Sequence, residues 1–372
     1  MRRGRTVVRA EARRRWGIVL GVVTLLCGIP IVVNRWPVSA AEPGVAVLRE
    51  RMVASSDQPY QGFAQSNGLL PIPPLPNLAR VTALASGTTE MRTWYAAPDR
   101  WRVDVIAGGT ERDLYRTPEA EYVWDFDDNQ LSRIVGDQRV RLPRAADLTP
   151  PDLARRLLGL AAGEALQPLP AKRVAGIPAA GLRIAPAAGD STVDHVDIWA
   201  DPASGLPLRV ELTARGGERP AFISRFLELR LSVPDGDVLT PPARRPGMGY
   251  ALGEAPDVLG ALNRGRFGVP PDLLAGQRRR DPLDGTRAVG VYGAGLAQFV
   301  VLPVPRRFGS EAYDNAVRFG RGLPVPSGRA ALLGTGLLTV LVVQAERTFL
   351  VAGLVRPAVL ERVATDLAGA AR

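Results

Sequence analysis

Val193-Asp194-His195-Val196-Asp197-Ile198-Trp199 is followed by Asp201-Pro202-Ala203-Ser204-Gly205 and then by Leu206-Pro207-Leu208-Arg209-Val210-Glu211-Leu212. In the last run Leu206, Leu208, Val210 and Leu212 stand on one side and Arg209 and Glu211 on the other, the period of two expected of a half-buried strand. The segment between the two runs has the Asp, Pro, Ser and Gly of a turn. Together they predict a β-hairpin inside an antiparallel sheet. Further strands are predicted at 180–184 and 222–231, and the unit closes near Val233-Pro234-Asp235-Gly236.

The same alternation recurs upstream. Trp101-Arg102-Val103-Asp104-Val105 predicts one strand, and Glu121-Tyr122-Val123-Trp124-Asp125-Phe126 another with Tyr122, Trp124 and Phe126 on one face. Pro98-Asp99 and Asp128-Asn129 punctuate them as turns. One helix interrupts the pattern. Thr149-Pro150-Pro151-Asp152 supplies a start signal, and Leu153, Leu157 and Leu160 make an apolar stripe with Arg155 and Arg156 mostly outside. A short amphipathic helix is expected over 45–54, with Val45, Leu48, Met52 and Val53 together. Tyr60-Gln61-Gly62-Phe63 then opens a strand, and the four prolines of 68–79 read as a loop or extended excursion.

Downstream, the character changes over 241–285, from PPARRPGMGY to Arg278-Arg279-Arg280, with room for a small helix at 258–262. Strands follow at 288–292, 296–302, 337–343 and 348–352. A closing helix starts near Pro357 and carries Val359, Leu360, Val363 and Leu367 on one stripe. The organisation expected is therefore a terminal segment 1–36, a first domain 45–240, a linker 241–285 and a small α+β domain 286–372.

The chain has 372 residues and a formal charge of +10, which invites a nucleic-acid reading. Eight arginines against one acid fall within residues 1–35; the remainder carries 39 basic and 36 acidic residues. The charge is thus an orientation signal, and no nucleic-acid partner is expected. Residues 17–33 are uncharged and flanked by Trp16 and Trp36. They read as a single-pass anchor with a cytoplasmic N-terminus and everything after Trp36 extracytoplasmic. Cleavage near Ala40, releasing a secreted protein, is the other reading. Cys27 is the only cysteine and lies in this apolar run, so no disulfide within the chain is expected.

Catalytic signals are weak. One histidine, His195, and no cysteine after residue 27 leave no zinc site and no Cys–His pair. Asp194-His195-Val196-Asp197 reads as a polar strand face. Gly290-x-x-Gly293-x-Gly295 lacks both the spacing and the lysine of a phosphate loop. No enzyme activity, metal or cofactor is expected. The aromatic residues, by contrast, concentrate in the first domain. They suit a curved sheet around a helix, with two outcomes open: a hydrophobic cavity, or rings packed on the helix and on one another. The cavity candidates are Trp94, Tyr95, Trp101, Val103, Tyr122, Trp124, Phe126, Ile198, Leu208, Phe222 and Phe226.

Several motifs resemble the LolA-like lipoprotein-carrier superfamily: Tyr60-Gln61-Gly62; Arg92-x-Trp94; Pro98-Asp99-Arg100-Trp101-Arg102-Val103; Glu111-Arg112-x-Leu114-Tyr115; and Val196-Asp197-Ile198-Trp199-x-Asp201-Pro202-x-x-Gly205-Leu206-Pro207-Leu208-Arg209-Val210. The two-domain order, with Val291-Tyr292-x-x-Gly295-Leu296 and Thr348-Phe349-Leu350-Val351-x-Gly353, is most similar to the RseB/MucB family of sigma-E regulators, in a membrane-anchored, actinobacterial form. The resemblance covers roughly 45–372. It implies an α+β fold, a half-open antiparallel β-barrel with capping helices plus a smaller α+β domain. It also implies a non-enzymatic regulator that binds a lipid or acyl ligand and the extracytoplasmic part of an anti-sigma factor, in envelope-stress signalling. A lipid or lipoprotein carrier of the LolA/LppX type is the alternative. The family's Ser-Asp-Gly turn appears here as Tyr292-Gly293-Ala294-Gly295, without the acid.

Overall fold

A computed structural model describes residues 15–17, 19, 43–70, 79–107, 109–136, 141, 143–254, 268–280 and 288–369. The chain divides into two units, Met1–Ala40 and Ala41–Arg372. In the first, residues 15–17 and 19 are helical. The anchor read at 17–33 otherwise lies outside the described residues, among which no helix is long and apolar enough to cross a membrane. The helix expected at 258–262 also lies outside them.

The second unit is built on two sheets. The large one contains β1 (Tyr60–Gly68), β2 (Thr88–Ala97), β3 (Arg100–Ala107), β4 (Thr110–Arg116), β5 (Glu121–Asp125), β6 (Gln130–Val135), β7 (Ala165–Val174), β8 (Ile177–Ala185), β9 (Val193–Ala200), β10 (Pro207–Ala214), β11 (Pro220–Arg230) and β12 (Gly249–Glu254). Its order is β12-β6-β5-β4-β3-β2-β1-β11-β10-β9-β8-β7, so its ends do not meet and the sheet stays open. Neighbours are antiparallel except β12 on β6, which are parallel. That exception has a topological cause. The chain leaves β11 in the middle of the sheet and must cross outside β1–β6 to reach the edge, so residues 231–248 form a strap over the outer face.

The inner face of this sheet packs on two helices, α1 (Val45–Ala54) and, after α2 (Ala79–Ser86), α3 (Pro150–Leu160). Ile198, Val196, Val210 and Leu182 meet Leu48, Met52, Ala154, Leu157 and Leu158 in one core. The buried stripe of α3 is Ala154, Leu157 and Leu158, whereas Leu160 is exposed. On α1, Leu48 and Met52 are buried and Val53 is exposed. In both helices the expected stripe is rotated by about one position, because helix phase is set by what each helix packs on and apolar residues at its ends do not report it.

The small sheet follows a short hairpin of β13 (Leu273–Leu274) and β14 (Gln277–Arg278). It comprises β15 (Gly290–Tyr292), β16 (Phe299–Pro303), β17 (Arg321–Leu323), β18 (Arg329–Gly334), β19 (Thr339–Gln344) and β20 (Thr348–Gly353), in the order β15-β16-β20-β19-β18-β17. The helix α4 (Arg306–Phe319) packs on one face through Ala316 and Ala312 against Ala331 and Val342. The closing helix α5 (Pro357–Gly369) packs on the other, where Val359, Leu360, Val363 and Leu367 meet Leu341, Val343 and Val351. The α+β class expected from the sequence is what the structure has. Within 241–285, β12 joins the large sheet, and Leu274 is buried in the core under α5.

Candidate functional site

The α4 face of the small sheet is only partly covered by its helix. Leu333, Leu338, Val340, Leu350 and Ala352 extend beyond it and, with Val342, form one wall of a cavity of about 400 Å³. Phe308, Ala312, Asn315 and Ala316 of α4 close one side. The opposite wall comes from the large-sheet body: Thr82, Leu84 and Ala85 of α2, Pro143, Leu148, and Phe222 of β11. The polar side chains of this lining are Thr82, Asn315 and Thr335; Asn315 already donates to the Glu311 carbonyl, and Thr335 to that of Leu338. The volume falls in the range of ordinary small-ligand sites, and burying apolar surface against such a lining is favourable.

The charges around Pro143 are spent on one another. Arg144 pairs bidentately with Glu121 at 2.5 and 2.7 Å, and Arg141 with Asp147 at 2.6 and 2.6 Å. Burial pushes both carboxyls up, but the guanidiniums outweigh it and hold Glu121 and Asp147 below the usual carboxylate range. These fixed pairs anchor Pro143 from both sides and leave the wall it contributes uncharged.

The eleven residues expected from the sequence to line a cavity fall in several places. Of the eleven candidates, Phe222 lines this cavity. Ile198 lies in the core under α1 and α3. Tyr95, Trp101, Val103, Leu208 and Phe226 belong to a second inner cluster, in which Tyr60 stacks on Tyr95 at 5.0 Å and meets Phe226 edge-on at 5.5 Å. Trp94, Tyr122, Trp124 and Phe126 occupy the opposite, outer face. There Trp124 and Tyr122 pack with Tyr115, Leu131, Met248 and Tyr250 beneath the strap, while Phe126 is 49 % exposed against Trp124. The alternation in β5 correctly grouped three aromatics on one face. It carries no information about which face is inner, and the strap gives the outer face a core of its own.

About half of the cavity lining comes from α2, α4 and β18, elements that the sequence pattern does not predict. One local signal existed: Phe308, Ala312 and Ala316 recur at i, i+4 and i+8, a helix face built on small residues.

His195 Nδ1 lies 2.8 Å from Asp194 Oδ2 and its Nε2 3.8 Å from Asp197, whose carboxylate is held bidentately by Arg183. This is a paired polar strand face. Among the described residues, one group of three acids comes close together: Asp104, Glu111 and Asp113, with oxygens within 4.8 Å of one another. The guanidinium of Arg102 already binds both aspartates there.

No protein-family model matches the chain, and no curated protein matches it. Among solved structures the chain is similar to the Pseudomonas aeruginosa MucA/MucB complex, at 18 % identity over 87 % of this chain and 98 % of that one, with a TM-score of 0.48. It is similar to a LolA-superfamily protein of Nitrosomonas europaea at 13 % identity, over 53 % of this chain and 97 % of the other, TM-score 0.24. A third likeness is to the Mycobacterium tuberculosis lipoprotein LppX, at 11 % identity, over 50 % and 94 % of the two chains, TM-score 0.29. The chain is thus similar to MucB and to LolA-superfamily proteins, as the sequence motifs led one to expect.

Proposed function

We propose that this protein is a non-enzymatic extracytoplasmic regulator that takes a lipid acyl chain into the cavity between its two sheets and binds the extracytoplasmic part of an anti-sigma factor. The observation that carries this reading is the composition of the cavity walls. One wall is Phe222, Leu148 and α2 of the large-sheet body; the other is Leu333, Val340 and Ala352 of the small sheet. An acyl chain seated there touches both bodies, so its binding free energy depends on their mutual arrangement and shifts that equilibrium. A carrier has no evident need of the second body, whereas a sensor that must report occupancy does. The anti-sigma partner and the anchoring at 17–33 follow from the motif resemblance and from the arginine-flanked apolar segment.

The experiment is native mass spectrometry of the full chain isolated from its membranes. An acyl lipid bound together with a membrane protein, the protein leaving when lipid is added, is the expected result. Abundant lipid with no protein partner would make the chain a carrier instead. Absence of lipid from wild type, with no uptake of added fatty acid, would remove the ligand altogether.

A further inference from the structure

We propose that Asp104 and Asp113 share a single proton, and that this pair is a pH-sensitive latch holding the 231–248 strap against the outer face of the large sheet.

Asp104 on β3 and Asp113 on β4 are directly opposite in the strand register, and each is 1 % exposed. Two carboxylates facing each other across a ladder repel, and burial without full pairing is costly. One guanidinium serves both. Arg102 Nε and Nη2 donate to the two oxygens of Asp104 at 2.6 and 2.8 Å, and Nη2 also donates to Asp113 Oδ2 at 2.9 Å. Tyr115 adds its hydroxyl to the same Asp113 oxygen at 3.2 Å. The other oxygen, Asp113 Oδ1, is buried and has no hydrogen-bond partner. A single proton shared between the two carboxyls, whose oxygens come within 4.8 Å of each other, resolves this, because one positive charge then faces one negative charge.

The surroundings favour that proton. Glu111 on β4 adds a third carboxylate, while Arg92, opposite Asp104 on β2, is exposed. Across β5 the residue facing Asp113 is Trp124, which is uncharged. From the strap comes the Val238 carbonyl, which accepts from Arg102 Nη1 at 3.4 Å; Asp235 and Asp237 precede it in sequence. Burial first, and then Asp104, push the Asp113 carboxyl up to about 7, against the pull of Arg102. Asp104 is also shifted upward, by burial.

Arg102 connects the pair to the strap. It lies between the rings of Trp94 and Tyr115, at 5.0 and 4.9 Å, and reaches the strap backbone at Val238. Loss of the shared proton leaves two buried anions competing for this one cation, and the strap contact is the weakest bond it holds. Because the folded carboxyl binds its proton more tightly than the unfolded one, stability falls as pH rises from the ordinary carboxylate range to about 7, and is level above that. Each pH unit in that window weighs roughly tenfold in the folding equilibrium.

Hydrogen exchange of the strap and thermal unfolding of the full chain, followed from about pH 5 to about pH 8, test the latch. In wild type, protection of 231–248 and the unfolding midpoint should both fall as pH rises, once exchange is corrected for its intrinsic pH dependence. Asp113→Asn, which keeps the shape and a donor, should flatten both profiles and leave the strap protected at the alkaline end. Asp104→Asn gives the same test should the first variant not fold. Profiles for the Asn variants that run parallel to wild type would overturn the proposal. So would a rise of the wild-type midpoint at alkaline pH on adding millimolar calcium or magnesium that Asp113→Asn abolishes, since the pair would then be a cation site.

Discussion

Ser191 Oγ donates to the backbone carbonyl of Leu296 at 2.8 Å, a buried bond between the β8–β9 connection and the small sheet. Its neighbour Thr192 donates from its hydroxyl to the Leu337 carbonyl and from its backbone N–H to Leu354. Leu296 and Leu337 belong to the core beneath the large sheet, so the two bodies share apolar packing along this seam. The cavity also lies between these two bodies, lined by Phe222 and Leu148 of the one and Leu338 and Val340 of the other. An occupant there and the seam constrain the same relative position.

Ser191→Ala should therefore destabilise the chain by about 1–3 kcal/mol, since it leaves the Leu296 carbonyl and the Val193 N–H without their partner. Urea unfolding followed separately by tryptophan fluorescence and by far-UV circular dichroism provides the measurement. Four of the six tryptophans, Trp94, Trp101, Trp124 and Trp199, lie in the large sheet and none lies in the small-sheet body, so fluorescence reports the large sheet while circular dichroism follows both. A loss of coincidence between the two curves is expected if the seam is what makes the bodies unfold together.

The cavity can be separated from the aromatic candidates by filling it. Ala312→Trp places a large ring in the space lined by Phe308, Leu333 and Leu350. Binding of a fluorescent fatty acid should weaken by roughly tenfold or more as contact area is lost, with thermal unfolding of the variant followed alongside because Ala312 also packs on the sheet. Trp124→Ala, under the strap on the far face, should leave that binding unchanged while lowering stability by about 3–5 kcal/mol. The opposite pattern would move the ligand to the outer face.

How much was legible beforehand depends on how local the information is. The hairpin of β9 and β10 was readable because Leu206, Leu208, Val210 and Leu212 alternate with charges and all four are buried. The helix α4 was not. Its buried residues are Gly309 and Ala316, among Arg306, Arg307, Glu311, Asp314 and Arg318. Gly309 is small because Thr348 lies where a Cβ would be, a contact between residues far apart in sequence. The cavity inherits this obscurity, since it exists only where α2 and β11 of one body meet α4 and β18–β20 of the other. The strap was equally hidden: its Pro-rich sequence predicts a loop correctly, but nothing local says that it crosses six strands.

Acid should attack a different place from the latch. Glu121 and Asp147 have folded carboxyls held below their ordinary values. Their contribution is present above the unfolded carboxylate pKa and is lost as pH falls through the lower folded value. Glu121→Gln should cost about 1–3 kcal/mol at neutral pH, where it strips Arg144 of its bidentate partner. The gap between variant and wild type should close below about pH 4. Urea midpoints at neutral and acidic pH measure both, and a gap that persists in acid would mean that Gln is harmful by packing alone.

The turn that identified the hairpin offers the sharpest backbone test. Gly205 has φ of +73°, a conformation that L-residues enter at a cost, and its N–H donates to the Asp201 carbonyl at 2.8 Å. A Cβ on Gly205 would collide with the backbone carbonyl of Arg51 in α1. The collision is with backbone, so no side chain can swing aside to relieve it. Arg51 in turn donates to the Pro202 carbonyl at 2.6 Å, which fastens the C-terminal turn of α1 onto this turn. Gly205→Ala therefore combines strain at a positive φ with displacement of α1, and should destabilise by about 2–4 kcal/mol. Arg51→Ala removes only the exposed bond and should cost less than about 1 kcal/mol. Thermal unfolding of the two variants side by side tests the assignment. Equal losses would mean that the side-chain bond, and not the close approach of the two backbones, holds α1 in place.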